Sequence, residues 1–232
     1  MQHFLLPSGI PQGKTLMIQD RDLLHQLGAV LRFRVGEACV LLNGQGLRVQ
    51  AKVIELHKKA TVFELGERVQ DEAPKEKLTL YIALSKKPAT LELIVQKATE
   101  LGVTNIVPLV TERCQVRELR KVDRLQAIIK EACEQSERSF LPELANVLSL
   151  KDLLKTPPQG LLLAGDPRDF DAPLSSLKKK GGLSLIIGPE GGLNAEELDA
   201  IRKAGGKIFQ LGPEILRMET AALAALSVLR YS

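Results

Sequence analysis

Apolar and polar positions change their period once along the chain. From Leu47 to Val53, apolar Leu47, Val49, Ala51 and Val53 alternate with Arg48, Gln50 and Lys52, the pattern of a strand with one buried face. Asn43-Gly44-Gln45-Gly46 and His57-Lys58-Lys59 supply turns on either side. Upstream, Asp20 is placed to cap a short helix carrying Leu23, Leu24, Leu27, Val30 and Leu31. The first third therefore predicts a small antiparallel sheet or barrel.

Over Gly66–Lys77, "GERVQDEAPKEK", the chain becomes polar, charged and proline-bearing, which reads as a linker. Beyond it, apolar runs at Leu78–Leu84, Ile106–Leu109, Leu161–Ala164, Leu183–Ile187 and Ile208–Leu211 predict buried strands. Helical periodicity fills the gaps at Thr90–Leu101, Val122–Glu137, Ala195–Ala204 and Met218–Tyr231. Apolar strands alternating with helices predict an α/β fold with a parallel sheet flanked by helices. The boundaries fall at 1–70 for the β domain, 71–77 for the linker and 78–232 for the α/β domain.

Composition narrows the chemistry. A hydrophobic fraction of 44% is ample for a core, but no apolar run reaches the roughly 20 residues a membrane span needs. The start, "MQHFLLPSGIPQGK", lacks the basic region and long apolar core of a signal peptide, so a cytoplasmic protein is expected. A net charge of +4 allows a polyanionic partner without requiring one. With aromatics at 3%, an RNA contact would rest on Arg, Lys and backbone amides rather than on a stacking platform. Cys39, Cys114 and Cys133, like His3, His25 and His57, are scattered. They suggest reduced thiols and no metal site.

In an open parallel sheet, ligands bind at the carboxyl ends of the strands. Three loops there carry unusual residues: Leu163-Ala164-Gly165-Asp166-Pro167, Gly188-Pro189-Glu190-Gly191-Gly192, and Leu211 through Thr220. The glycines of the second admit close backbone approach or positive φ, and Asn194 with Glu197 predicts a capping box after it. Its spacing matches neither the dinucleotide fingerprint nor a P-loop. An acid in the loop and no lysine after it favour a neutral or cationic ligand, such as a nucleoside without phosphates. From this loop alone, a turn that merely lets strand and helix pack explains the glycines equally well.

"IIGPEGGLNAEEL" and "LGPEILRMETAALAAL" together resemble the ribosomal RNA small-subunit methyltransferase E family of SPOUT (trefoil-knot) methyltransferases. The likeness extends to "QKATELGVTNIVPLVTERC", "EACEQSERSFLPEL" and "HQLGAVLRFRVGE". It implies a PUA-like β-barrel that helps bind RNA, followed by a SPOUT-type knotted parallel sheet. It also implies a homodimer and S-adenosyl-L-methionine as cofactor, with methylation of a uridine N3 of 16S rRNA in the small ribosomal subunit. Carried onto these residues, Leu163, Gly165, Gly188, Pro189, Glu190, Gly191, Leu211, Gly212, Ile215, Leu216 and Thr220 would hold the cofactor. Arg217 would stabilise charge on the uracil, and Glu219 would orient Arg217 or the cofactor. Arg113 and Arg138, inside family-like segments, would contact RNA, and Arg32 with the outward Arg48 and Lys52 would form the barrel's RNA face. Three positions depart from the family's pattern: His3 in place of an N-terminal arginine, Cys114 in place of serine, and Glu214 where a basic or polar residue is common. A tRNA- or ribose-directed SPOUT enzyme and an inactive assembly factor are the rival readings.

Overall fold

The alternation over Leu47–Val53 becomes the centre of a five-stranded sheet. In the computed structural model, which describes residues 1–6, 8–177 and 181–231, the chain divides into two units. The run Lys178-Lys179-Lys180, which reads as a solvated helix end, lies outside the described residues.

The first unit contains β1 (Gln2–Leu5), β2 (Thr15–Ile18), α1 (Arg21–His25), β3 (Ala38–Leu42), β4 (Leu47–Leu56) and β5 (Thr61–Gln70). The strand order is β1-β3-β4-β5-β2. Asp20 caps α1 by accepting a hydrogen bond from the Leu23 amide at 2.9 Å, and a π-helical turn follows at Gln26–Val30. The expectation of an antiparallel sheet needs one correction, because β1 pairs in parallel with β3. The linker expectation also starts too early: β5 continues to Gln70, with Leu47 opposite Gln70. Its outer half is mostly exposed, so backbone pairing holds residues whose side chains look like those of a loop. Phe4, Leu23, Leu27, Leu41, Val49 and Phe63 fill the core, and Phe4 meets Phe33 edge-on at 5.7 Å.

Cys133–Leu141 also belongs to this unit. Glu134 accepts from the Leu5 amide at 2.8 Å and from Gln26 Nε2 at 3.3 Å, and Ser139 donates to Asp71. His3 is buried, with Nδ1 3.7 Å from Glu137. The residue at the family's arginine position thus points into the unit.

The second unit contains β6 (Leu78–Ala83), α2 (Pro88–Glu100), β7 (Asn105–Val110), most of α3 (Val122–Gln135), β8 (Glu143–Leu144), β9 (Leu148–Ser149) and α4 (Leu150–Lys155). After these come β10 (Leu161–Gly165), β11 (Ala172–Pro173), β12 (Leu183–Ile187), α5 (Ala195–Lys203), β13 (Lys207–Gln210) and α6 (Met218–Tyr231). The sheet runs β11-β13-β10-β12-β6-β7-β8, with β9 also on β7, and its ladders are parallel. Every residue of β12 is buried, as a central parallel strand requires. Leu150, Leu153, Leu198 and Ile201 of α4 and α5 pack with Tyr81, Ala164, Ile186 and Ile208. Each large side chain buried this way contributes about 1.5–3 kcal/mol. Leu185 and Ile187 face the other side of the sheet by strand alternation. There α6 packs on β12 and on α2.

Candidate functional site

At the carboxyl edge of this sheet lies a cavity of about 770 Å³. All three loops singled out in the sequence line it.

The glycine loop starts where Pro189, lacking an N–H, stops β12 from extending its ladder. The chain turns at once: the Gly192 amide donates to the Pro189 carbonyl at 2.8 Å, and Gly192 takes φ +70°, a conformation that favours glycine. Gly188 is glycine for another reason. A Cβ there would stand 3.2 Å from Leu193 Cγ and 3.3 Å from its amide, tight enough that Leu193 would have to give way. The predicted capping box is present, with Asn194 accepting from the Glu197 amide and Glu197 from the Asn194 amide.

Ser85, buried just past the end of β6, donates to Glu190 at 2.6 Å. Arg113 donates to the Gly191 and Leu193 carbonyls at 2.8 and 3.2 Å. Among the described residues, the amides of Glu190, Gly191 and Gly212 donate to no protein group. They are among the donors open to a ligand.

Opposite stands the stretch from Leu211. Ile215 is 65% and Leu216 36% exposed. Glu214 and Arg217 are exposed and Glu219 is partly buried. Among the described residues, no side-chain hydrogen bond ties down 211–217. Its anchor is Met218, buried at the start of α6.

Of the expected cofactor residues, Gly165, Gly188, Pro189, Glu190, Gly191, Leu211, Gly212, Ile215 and Leu216 line the cavity, as do Arg217 and Glu219. Leu163 does not: it is fully buried inside β10, two residues before the strand opens at Gly165. Nor does Thr220, whose neighbours Glu219 and Ala221 do, because each helical step turns the side chain by about 100°.

Arg113, expected on RNA, is in the cavity wall with its guanidinium on loop carbonyls. Arg138 is in the first unit and half-buried, close enough for its charge to act on Cys133. Arg32 is exposed there, with φ +54°. Arg48 is paired with Asp71 at 2.7 Å, and Lys52 is exposed.

Sequence reasoning missed Lys87, Thr90 and Arg168 in the lining, and quoted Asp166 without assigning it a role. The signal was available, since every strand end of a parallel sheet feeds the same edge. Asp166 is held by the Arg168 and Asp169 amides, both at 2.9 Å.

The lining mixes Lys87, Arg113, Arg168 and Arg217 with Asp166, Asp169, Glu190, Glu214 and Glu219. Such a balance suits a ligand with several functional groups and no polyphosphate. Burial pushes the Cys133 thiol up to about 11 and Cys39 up to about 12, so both stay protonated near neutrality. Neither lines the cavity. Cys114 is buried, bonded to the Thr111 amide and hydroxyl, and fills a hydroxyl's role inside a turn.

A second hollow, about 870 Å³, belongs to the first unit. It is lined by cationic Arg21, Lys58 and Lys59 and by His25 and His57 among others, with no carboxylate in the lining.

Comparison with known proteins agrees with the geometry. Residues 71–230 match the RNA methyltransferase domain family and residues 19–65 the RNA methyltransferase PUA domain family. The ribosomal RNA small subunit methyltransferase E of Rickettsia conorii is 33% identical over 227 residues, covering 96% of this chain and 92% of that protein. That of Bacillus subtilis is 30% identical, with the same coverage. The crystal structure of the Neisseria gonorrhoeae enzyme bound to S-adenosyl methionine superposes with a TM-score of 0.89 at 31% identity, covering 99% of this chain and 96% of that one. A methyltransferase from Legionella pneumophila with bound cofactor gives 0.88 at 33% identity, covering 98% and 96%.

Proposed function

This chain belongs to the ribosomal RNA small subunit methyltransferase E family, and from that premise we propose that it methylates N3 of a uridine in 16S rRNA, using S-adenosyl-L-methionine. The observation that carries the reading is the single cavity in which the 188–193 loop, with its free amides, faces the 211–219 stretch.

The residues present fit the cofactor. Unpaired amides at Glu190, Gly191 and Gly212 suit the polar edges of a nucleoside, and Leu211, Ile215 and Leu216 offer apolar walls for adenine. When bound, the cofactor supplies a methyl group on a sulfonium, already electrophilic. The protein contributes position and charge. Loss of the N3 proton to solvent would leave negative charge on the uracil, which Arg217, exposed in the cavity lining, would balance. Glu219, partly buried two residues on and in the same lining, would hold the guanidinium or the cofactor in orientation. A stacked uridine must first be exposed.

The family's trefoil knot and homodimer belong to the same reading. Exposed Ile215 and Leu216 support a loop completed by a partner or by cofactor. The cationic hollow of the first unit, with Arg32 and Lys52, supports RNA contact through phosphates. No described helix is long and apolar enough to cross a membrane, and a substrate in the small ribosomal subunit supports a cytoplasmic protein.

The test is methyl transfer to purified small subunits alongside tRNA. Label confined to small-subunit RNA supports the reading. Label in tRNA or on a ribose oxygen sends the assignment to another SPOUT enzyme.

A further inference from the structure

Arg113 occupies a tip that two independent contacts aim at the glycine loop. The tip is a tight turn after β7: the Cys114 amide donates to the Thr111 carbonyl at 3.2 Å, and the Thr111 amide donates to Cys114 Sγ at 3.4 Å. With the thiol buried beneath, Glu112 and Arg113 are exposed at the summit. The Glu112 amide donates to Glu197 Oε1 at 2.8 Å, while Glu197 Oε2 accepts from the Asn194 amide at 3.0 Å. One carboxylate thus joins the tip to the helix cap that ends the loop. Arg113 Nη1 reaches the Gly191 and Leu193 carbonyls. Its stem lies along Gly191, where a Cβ would stand 3.6 Å from both Cβ and Cδ of Arg113.

A glycine-rich loop loses more backbone freedom on ordering than any other. If that ordering were left to the ligand, binding would weaken accordingly. Here the carbonyls are already held by a charged donor and the amides of Glu190 and Gly191 stay open.

We infer that Arg113 is a positioning residue for the cofactor, acting through the Gly191 and Leu193 carbonyls, rather than a contact for RNA. The inference rests on the methyltransferase reading of the site. Both bonds come from one nitrogen, Nη1; a lysine carries a comparable charge on a shorter, more flexible stem, so Arg113→Lys should recover only part of the function.

The test is calorimetry of S-adenosylmethionine binding without RNA, on the full chain, for wild type, Arg113→Ala and Arg113→Lys. Steady-state methylation of small subunits is measured alongside. Loss of a charge-assisted bond gives about 10- to 100-fold weaker cofactor binding in Arg113→Ala, with Arg113→Lys between. Saturating cofactor should restore kcat to within a few-fold, and KM for small subunits should not move. Because Arg113 is exposed, both variants should melt with wild type. Were Arg113→Ala to misfold, Arg113→Lys alone would decide by the same KM split. Equal cofactor affinity in wild type and variants, or a raised KM for small subunits alone, overturns the inference. Failure of wild type to bind the cofactor would overturn the methyltransferase reading instead.

Discussion

Two loops face each other across one cavity, and they are built in opposite ways. The 188–193 loop is tied from three directions, by Ser85, by Arg113 and by the Asn194–Glu197 capping box. The 211–217 loop has no side-chain tether among the described residues and exposes Ile215, Leu216 and Arg217. The first is a preorganised cradle whose shape exists before any ligand arrives. The second presents apolar and charged groups to the cavity without side-chain tethers among the described residues. On the proposed function, the held loop would fix the cofactor's polar edges, while the free loop would bring both the apolar walls for adenine and the Arg217 charge for the uridine.

The sharpest break of this division is Arg217→Ala. Methyl transfer should fall by about 10²- to 10³-fold, the loss found when one transition-state charge donor is removed. Cofactor affinity measured by calorimetry should change less than about 3-fold. A comparable loss of cofactor binding would erase the distinction between the loops.

Gly188→Ala attacks the held loop. The added Cβ meets Leu193 at 3.2 Å, and overpacking of this kind costs about 1–3 kcal/mol. Cofactor binding should weaken by about 10-fold or more with a lower Tm. Gly191→Ala, which meets only ordinary contact at 3.6 Å, should melt like wild type.

Ile215→Ser probes the free loop. Because the side chain is 65% exposed, folding stability should stay within about 0.5 kcal/mol. Losing an apolar wall should still weaken cofactor binding by about 5- to 20-fold, read by calorimetry beside a melting curve.

The smallest effect concerns the remaining wall, the segment after β10. Arg202 pairs with Asp169 at 2.7 Å and with Asp171 at 2.9 Å. Asp169 is held below its ordinary value by hydrogen bonding from Arg202, and Asp171 first by the Ile208 amide, then by Arg202. A carboxylate depressed in the folded state stabilises above its unfolded pKa of about 3.9 and loses that contribution as pH falls through the folded value. Acid melting below about pH 4 should therefore show a small protonation-linked loss. Arg202→Ala should reduce it but not abolish it, since the Ile208 amide still binds Asp171.

Sequence patterns showed the parallel sheet and its site edge because β12 and its neighbours are continuously apolar, and only a strand buried on both faces looks that way. Met218–Tyr231 was legible to the residue from its Ala/Leu periodicity. β1, the outer half of β5 and the short β8, β9 and β11 were not, because they are short or are held by backbone pairing while their side chains resemble loop residues. Arg113 shows the limit at the site. In sequence it is one arginine in a basic run, and only the turn built by Thr111 and Cys114 brings it onto a loop some eighty residues away. The lining by Lys87 and Asp166 likewise depends on which strand ends are neighbours, an order that periodicity does not encode.

The most direct measurement uses small subunits from cells lacking the activity, purified protein and isotopically labelled S-adenosylmethionine, with nuclease digestion and mass spectrometry of the RNA. The expected result is one labelled N3-methyluridine in 16S rRNA, absent with Arg217→Ala while cofactor still binds. Cofactor binding without any label in 16S rRNA, or full labelling by Arg217→Ala, would contradict the account.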